Sequence, residues 1–111
     1  MNEKNSNSVA TVLHVALPAD LEKAKASGEY VCGSLDAEGF IHCCLNSQLP
    51  GVLERYFATV PEYTVIEVKV DSLPEQLKPV FENTVGGEEL FPHIYGALPA
   101  SSYTVYSQKS C

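Results

Sequence analysis

The three histidines of the chain are the first residues whose type suggests chemistry. His14, His42 and His93 each lie among apolar residues, which leaves no histidine for the solvated surface. A buried imidazole needs hydrogen-bond partners for both ring nitrogens, so histidine is rarely used only to fill a core. A lone core histidine with satisfied hydrogen bonds is common, but three favour one shared pocket. We therefore expect the three imidazoles to converge on one partly open cavity.

Two short segments carry two of these histidines. Gly39–Cys43 and Phe91–Gly96 each place a histidine among apolar residues and beside a glycine. Both segments also have purely structural interpretations. His42 could orient the strand that follows it, and His93 could hold a turn, because an aromatic-proline step favours a turn with a cis bond as one option. Gly96 could supply a positive φ in such a turn.

The pattern of these segments resembles an uncharacterised family called domain of unknown function 952. The matching stretch runs from about Val12 to Val105, and its residues are His14, Tyr30, Ser34–Leu35, Gly39–His42, Arg55–Phe57, Glu82 and Phe91–Gly96. The resemblance implies an ADP-ribosyltransferase-like fold, which is an α+β fold with a split, mostly antiparallel β-sheet and short flanking helices. It implies no established reaction.

The resemblance also implies roles for single residues. In ADP-ribosyltransferases generally, a histidine or arginine of the first strand holds a ribose of NAD, an aromatic residue stacks on nicotinamide, and a late glutamate polarises a ribose hydroxyl. A carboxylate can also stabilise the oxocarbenium-like centre left when nicotinamide departs. NAD or ADP-ribose is therefore the candidate ligand. The candidate catalytic residues are Glu82, His42 and His93, and the candidate ligand-binding residues are His14, Tyr30, Gly39, Arg55 and Tyr95.

Two other kinds of function fit the same residues. The three histidines with Glu82 or Cys43 could hold zinc or iron, although their long-range spacings are not diagnostic of such a site. The pocket could also bind a ligand without turning it over. Arg55 stands between Glu54 and Tyr56, so a solvated or glutamate-paired arginine competes with its use as an anion ligand.

Hydrophobic periodicity predicts the elements that must position these residues. Strands are expected at Val9–Val15, Tyr63–Val70 and Ser102–Tyr106, which are rich in β-branched and apolar residues. Gln48–Phe57 has apolar residues at helical spacing and predicts an amphipathic helix. Shorter features are a helix that starts at Pro18 with Asp20 as a cap and stops at Gly28, a strand at Val80–Glu82, and a tight turn at Gly86–Gly87.

Length, charge and cysteine usage limit the class of protein. The 111 residues fit a polar tail over residues 1–8 and one domain over residues 9–111. The net charge is −7 and Arg55 is the only arginine, which argues against nucleic acid and favours a small-molecule ligand. No apolar run reaches membrane-spanning length. Without a secretory signal, the four cysteines are expected to be reduced thiols in the cytoplasm.

Overall fold

The computed structural model describes residues 9–83 and 89–109. The predicted polar tail, the Gly86–Gly87 turn and Cys111 lie outside the described residues. Three helices are present in the described part: α1 (Pro18–Ser27), α2 (Gly33–Glu38) and α3 (Leu49–Tyr56). The strands there are β1 (Thr11–Ala16), β2 (Glu29–Tyr30), β3 (Ile41–His42), β4 (Tyr63–Lys69), β5 (Val80–Glu82), β6 (Phe91–Ile94), β7 (Leu98–Pro99) and β8 (Tyr103–Lys109).

The strands form small antiparallel sheets. The largest pairings join β1 to β4 and β4 to β8, which gives the order β1-β4-β8. A second three-stranded sheet has the order β3-β6-β5, and β2 pairs with β7. The domain is therefore α+β with antiparallel sheets and short helices, as the sequence predicts.

The central strand β4 separates two apolar clusters. Ile66 and Val68 belong to the larger cluster, which also contains Tyr30 and Ile41, whereas Val65 belongs to the smaller one. Successive side chains of a strand point to opposite faces, so this split follows directly from the alternation along β4. A strand that is buried on both faces needs consecutive apolar residues, and Val65 and Ile66 provide them at the centre of β4.

The long elements agree with the sequence predictions to within a few residues. The three strands and the helix expected at Gln48–Phe57 are all present, and so is the strand at Val80–Glu82. Helix α1 does begin at Pro18 and ends before Gly28, which has a φ of +88°. The expected cap is wrong, however, because Leu17 occupies the cap position and Asp20 lies in the first turn.

The turn predicted at Phe91–Pro92 is also wrong. Both residues belong to β6, and no peptide bond between described residues is cis. Of the four phenylalanines, Phe40 is buried, whereas Phe57, Phe81 and Phe91 keep part of their surface exposed. Partial exposure of Phe57 and Phe91 matters because both contribute to the cleft described below.

The remaining predictions concern the cysteines, membrane-spanning helices and the cellular location. Cys32, Cys43 and Cys44 are free thiols, and burial raises the pKa of Cys44 to about 11. Within residues 9–83 and 89–109, no helix has the length and apolar character needed to cross a membrane. The cytoplasmic location stays a prediction.

Glycine at position 39 is required by the end of α2. Its φ is +90°, and its amide donates to the carbonyls of Leu35 and Ser34. An L side chain in this left-handed conformation costs roughly 1–2 kcal/mol. We therefore expect Gly39→Ala to lower the free energy of unfolding by about that amount in urea denaturation.

Gly51 provides the matched control. It lies exposed in α3, and a Cβ there would meet nothing within 4 Å. Because alanine is the better helix former, Gly51→Ala should leave stability unchanged or raise it by up to ~1 kcal/mol. Equal effects of the two substitutions would contradict the assigned backbone conformation at Gly39.

Candidate functional site

A cleft of about 600 Å³ opens between the sheets, and all three histidines line it. Its volume falls within the usual range for small-molecule sites. The lining includes the polar side chains of His14, Asp20, Tyr30, Cys32, Ser34, Glu38, His42 and His93. The rest is mainly apolar and aromatic: Leu13, Val15, Leu17, Val52, Tyr56, Phe57, Val60 and Phe91.

His14 and Tyr30 form a closed pair in the cleft wall. The Nδ1–H of His14 donates to the carbonyl of His42, and its Nε2 accepts from the Tyr30 hydroxyl at 2.7 Å. These bonds fix the tautomer, because a carbonyl oxygen can only accept. Both ring nitrogens of His14 are thus occupied by protein groups.

Burial sets the protonation of this pair. The His14 side chain is buried, and desolvation lowers its pKa from 6.5 to about 4, although the bond to the His42 carbonyl opposes the shift. Burial likewise raises the pKa of Tyr30 far above its usual value. The pair therefore consists of a neutral imidazole and a neutral phenol at physiological pH.

His93 is held by a carboxylate on the neighbouring strand. Its Nδ1–H donates to Oε1 of Glu82 at 2.8 Å, and the same oxygen accepts from the Tyr95 hydroxyl at 2.6 Å. The bond from Tyr95, and then the bond from His93, lower the pKa of Glu82. Phe40 stacks on the imidazole with ring centres 4.1 Å apart. The hydrogen bond and the stacking contact together fix the orientation of the His93 ring.

The second nitrogen of His93 is different. The side chain is only 1% exposed, and no described residue forms a hydrogen bond with its Nε2. His93 belongs to the cleft lining, whereas Glu82, the partner of its Nδ1, does not. A buried nitrogen without a partner costs roughly 1–3 kcal/mol, and such groups call for an explanation.

His42 forms a second histidine–carboxylate pair at the more open part of the cleft. Its Nε2–H donates to Oε1 of Glu38 at 2.6 Å, and both side chains are about half exposed. Its ring lies edge to face with that of His93, with centres 5.2 Å apart. The register β3–β6 places the two residues directly opposite each other, which explains this proximity.

The structure brings some of the candidate residues to the cleft and leaves others outside. His14, Tyr30, His42 and His93 line it, whereas Gly39, Arg55, Glu82 and Tyr95 do not. Glu82 is connected to the lining by its hydrogen bond with His93, and Tyr95 is hydrogen-bonded in turn to Glu82. Gly39 ends α2 and directs the chain into β3. The Arg55 guanidinium lies 5.8 Å from the centre of the Tyr56 ring.

Two important residues were not among the sequence candidates. Glu38 supplies the carboxylate that binds His42, and Phe40 supplies the face on which His93 stacks. Glu38 stands four residues before His42, a spacing at which side chains meet on a helix. Here the helix ends at Glu38 itself, so this spacing alone did not predict the contact.

The described residues do not form the ligand set that the metal-binding alternative requires. Within residues 9–83 and 89–109, no group of three or more histidine, cysteine, aspartate or glutamate side chains is placed to hold a metal ion. The His14 nitrogens are already engaged by the His42 carbonyl and by Tyr30.

Comparison with known proteins places the chain in a family. Residues 15–105 match the family described as protein of unknown function DUF952, and the chain belongs to that family. The crystal structure of protein CC0527 from Caulobacter crescentus is similar, with a TM-score of 0.72 and 25% sequence identity over 88% of this chain and 82% of that chain. The solution structure of the same protein gives a TM-score of 0.65 and 24% identity, covering 92% and 84% of the two chains. No curated protein matches this chain.

The depressed pKa of His14 predicts how stability depends on pH. The folded chain has a His14 pKa of about 4, against 6.5 for the unfolded chain. Between these values the unfolded state binds more protons, so the free energy of unfolding should fall as the pH is lowered from about 6.5 to 4, by up to ~3 kcal/mol. Below the folded pKa this contribution should level off.

His14→Gln isolates this contribution, since glutamine does not titrate. Urea denaturation of both proteins between pH 7.5 and 4 should show stability curves that converge as the pH falls. Parallel curves for wild type and variant would contradict a neutral, buried His14.

Proposed function

We propose that this domain binds NAD, ADP-ribose or a related nucleoside-containing small molecule in the histidine-lined cleft. We further propose that its fold is of the ADP-ribosyltransferase type. The antiparallel sheets, the histidine on β1 and the tyrosine on β2 support this classification. The cleft volume and the net charge of −7 favour a small molecule over nucleic acid.

The observation that carries the proposal is that no described residue forms a hydrogen bond with Nε2 of His93. In the neutral ring Nδ1 carries the proton that Glu82 accepts, so Nε2 presents a lone pair to the cleft. A ligand hydroxyl would donate to this lone pair and remove the cost of the unmade hydrogen bond. Ribose offers two adjacent hydroxyls of this kind, and its ring is small enough to enter an apolar cleft beside aromatic side chains.

If a water molecule in place of the ribose hydroxyl occupies this single lone pair, His93 would instead suit general base catalysis. His93 would accept a proton at Nε2 from a water molecule, while Glu82 stabilises the resulting imidazolium through Nδ1. The water oxygen would bond to C1′ of the ribose as the bond from C1′ to the nicotinamide nitrogen breaks. The electron pair of that bond stays on nicotinamide, which leaves as a neutral ring, and the proton passes from His93 to solvent.

Roles in this scheme differ from those implied by the family resemblance. Glu82 is a positioning residue, because it holds His93 and does not line the cleft. Tyr30 is buried and its ring packs edge to face against His14 and Tyr103, so stacking on a ligand ring falls to Tyr56, Phe57 or Phe91, whose side chains form the aromatic wall. His14 holds Tyr30 in place and offers the ligand no free nitrogen.

Binding without turnover is the second candidate function. It is favoured by the position of Glu82, because no carboxylate of β5 lines the cleft where an oxocarbenium-like centre would form. Among the described residues, only Glu38 and Asp20 bring carboxylates to the lining. A binding protein needs the hydrogen bond at His93 and the aromatic wall, but not a carboxylate beside C1′.

Calorimetry with NAD and ADP-ribose tests the proposal. We expect wild type to bind at least one of them, and His93→Gln to bind it about tenfold more weakly, since one hydrogen bond of roughly 1.4 kcal/mol is lost. Glu22→Gln, an exposed change on α1 outside the cleft, should bind like wild type. No binding of either compound, or equal binding by His93→Gln, would contradict the proposal.

Product analysis then separates the two candidates. Release of nicotinamide from NAD that is lost in His93→Gln identifies an enzyme. Binding with no release identifies a binding module.

A further inference from the structure

Tyr95 lies outside the cleft, and its hydroxyl is bonded to a protein group. The residue is 45% exposed and does not belong to the lining. Its hydroxyl donates to Oε1 of Glu82 at 2.6 Å, and the same oxygen accepts from the Nδ1–H of His93 at 2.8 Å. One carboxylate oxygen therefore connects an exposed tyrosine to a buried histidine.

Glu82 alone would hold His93 weakly. Its side chain is 32% exposed, so water competes with the imidazole for the carboxylate. A glutamate side chain also loses much rotamer freedom when it is held in one conformation. A second donor on the same oxygen offsets this loss. Among the contacts that lower the pKa of Glu82, the bond from Tyr95 has the largest effect, ahead of the bond from His93.

The Tyr95 side chain is suited to supply this second donor. Tyrosine has only two side-chain torsions to fix, so holding its ring in place costs little entropy. Phe40 packs against both neighbouring rings, with its centre 5.3 Å from that of Tyr95 and 4.1 Å from that of His93. Tyr95 follows β6 two residues after His93, and the alternation along the strand places both side chains on the same face.

The hydrogen bond at Nδ1 decides which nitrogen of the neutral His93 ring can accept. With the proton on Nδ1, Nε2 carries the lone pair. In the other tautomer Nε2 carries the proton, and the same edge of the ring becomes a donor. Because His93 lines the cleft, its tautomer determines which kind of ligand group can bind there.

We infer that Tyr95 is a positioning residue, which fixes the tautomer of His93 from outside the cleft through its hydrogen bond to Glu82. Tyr95 thus determines the hydrogen-bonding polarity of the cleft without touching a ligand. The consequence for ligand binding rests on the proposed function, whereas the consequence for the tautomer does not.

Nitrogen-15 NMR of the histidine rings in the ligand-free protein at pH 7.5 tests the inference. Wild type should show His93 as one tautomer with its proton on Nδ1. Tyr95→Phe removes only the hydroxyl and should give a mixture of tautomers, because water then competes more effectively for Glu82. Tyr106→Phe is the matched control, since it removes the hydroxyl of another exposed tyrosine, which is bonded to Asn46 at 2.8 Å. It should leave the His93 signals unchanged.

Calorimetry with NAD and ADP-ribose provides the second arm. Tyr95→Phe should weaken binding roughly three- to tenfold, and by no more than His93→Gln does. In the His93→Gln background, Tyr95→Phe should cause no further loss, because its effect passes through that ring. A tyrosine that contacts the ligand directly would weaken binding in both backgrounds. Thermal melts establish that each variant remains folded.

The outcomes separate this inference from the proposed function. If the tautomer changes as expected and neither NAD nor ADP-ribose binds, the positioning role of Tyr95 stands and the nucleotide proposal falls. If Tyr95→Phe keeps the single Nδ1–H tautomer, if wild type carries the proton on Nε2, or if Tyr106→Phe has the same effect, the inference is overturned whatever the ligands do. A further loss of binding in the His93→Gln background would also overturn it.

Discussion

A pair of backbone hydrogen bonds between Leu13 and Cys44 connects the two halves of the domain. The amide of Leu13 donates to the carbonyl of Cys44 at 2.8 Å, and the amide of Cys44 donates back at 2.7 Å. These bonds attach the segment that follows β3 to β1, and thereby join the sheet β1-β4-β8 to the sheet β3-β6-β5. The adjacent bond from His14 to the His42 carbonyl reinforces the junction. The cleft lies at this junction, so the relative placement of its histidines depends on these few bonds.

The three histidines differ in how many of their ring nitrogens form hydrogen bonds with protein groups. His14 uses both nitrogens on Tyr30 and the His42 carbonyl, which makes it part of the scaffold. His42 and His93 each use one ring nitrogen in a hydrogen bond with a carboxylate, but His42 is half exposed whereas His93 is buried. Solvent can satisfy the remaining nitrogen of His42. No described residue bonds the remaining nitrogen of His93, which is why this residue carries the functional proposal.

Sequence reasoning predicted the long elements because their signals are local. β1 and β4 are apolar and β-branched, and the apolar spacing of α3 is helical, so each pattern is decided within one segment. Strands β2, β3 and β7 have two residues each, so only their pairing with other strands defines them. Helix α2 has six residues and buries none of them, so it has no apolar stripe to detect.

The site was predicted in part for the same reason. All three histidines line one cleft, but the expectation that none lies at the solvated surface is wrong, because the His42 side chain is about half exposed. Which of them is free for a ligand depended on the partners Tyr30, Glu38 and Glu82, and these are set by strand pairing and not by spacing in the chain. The stacking of Phe40 on His93 arises from the β3–β6 pairing, and no local pattern indicates it.

A crystal structure with NAD bound would test the central claim most directly. The account predicts the ligand in the cleft, with a ribose hydroxyl at about 2.7–3.0 Å from Nε2 of His93 and with the Glu82 bond to Nδ1 retained. A ligand seated elsewhere, or a cleft in which His93 Nε2 bonds to a protein group and leaves no space for the ribose, would contradict it.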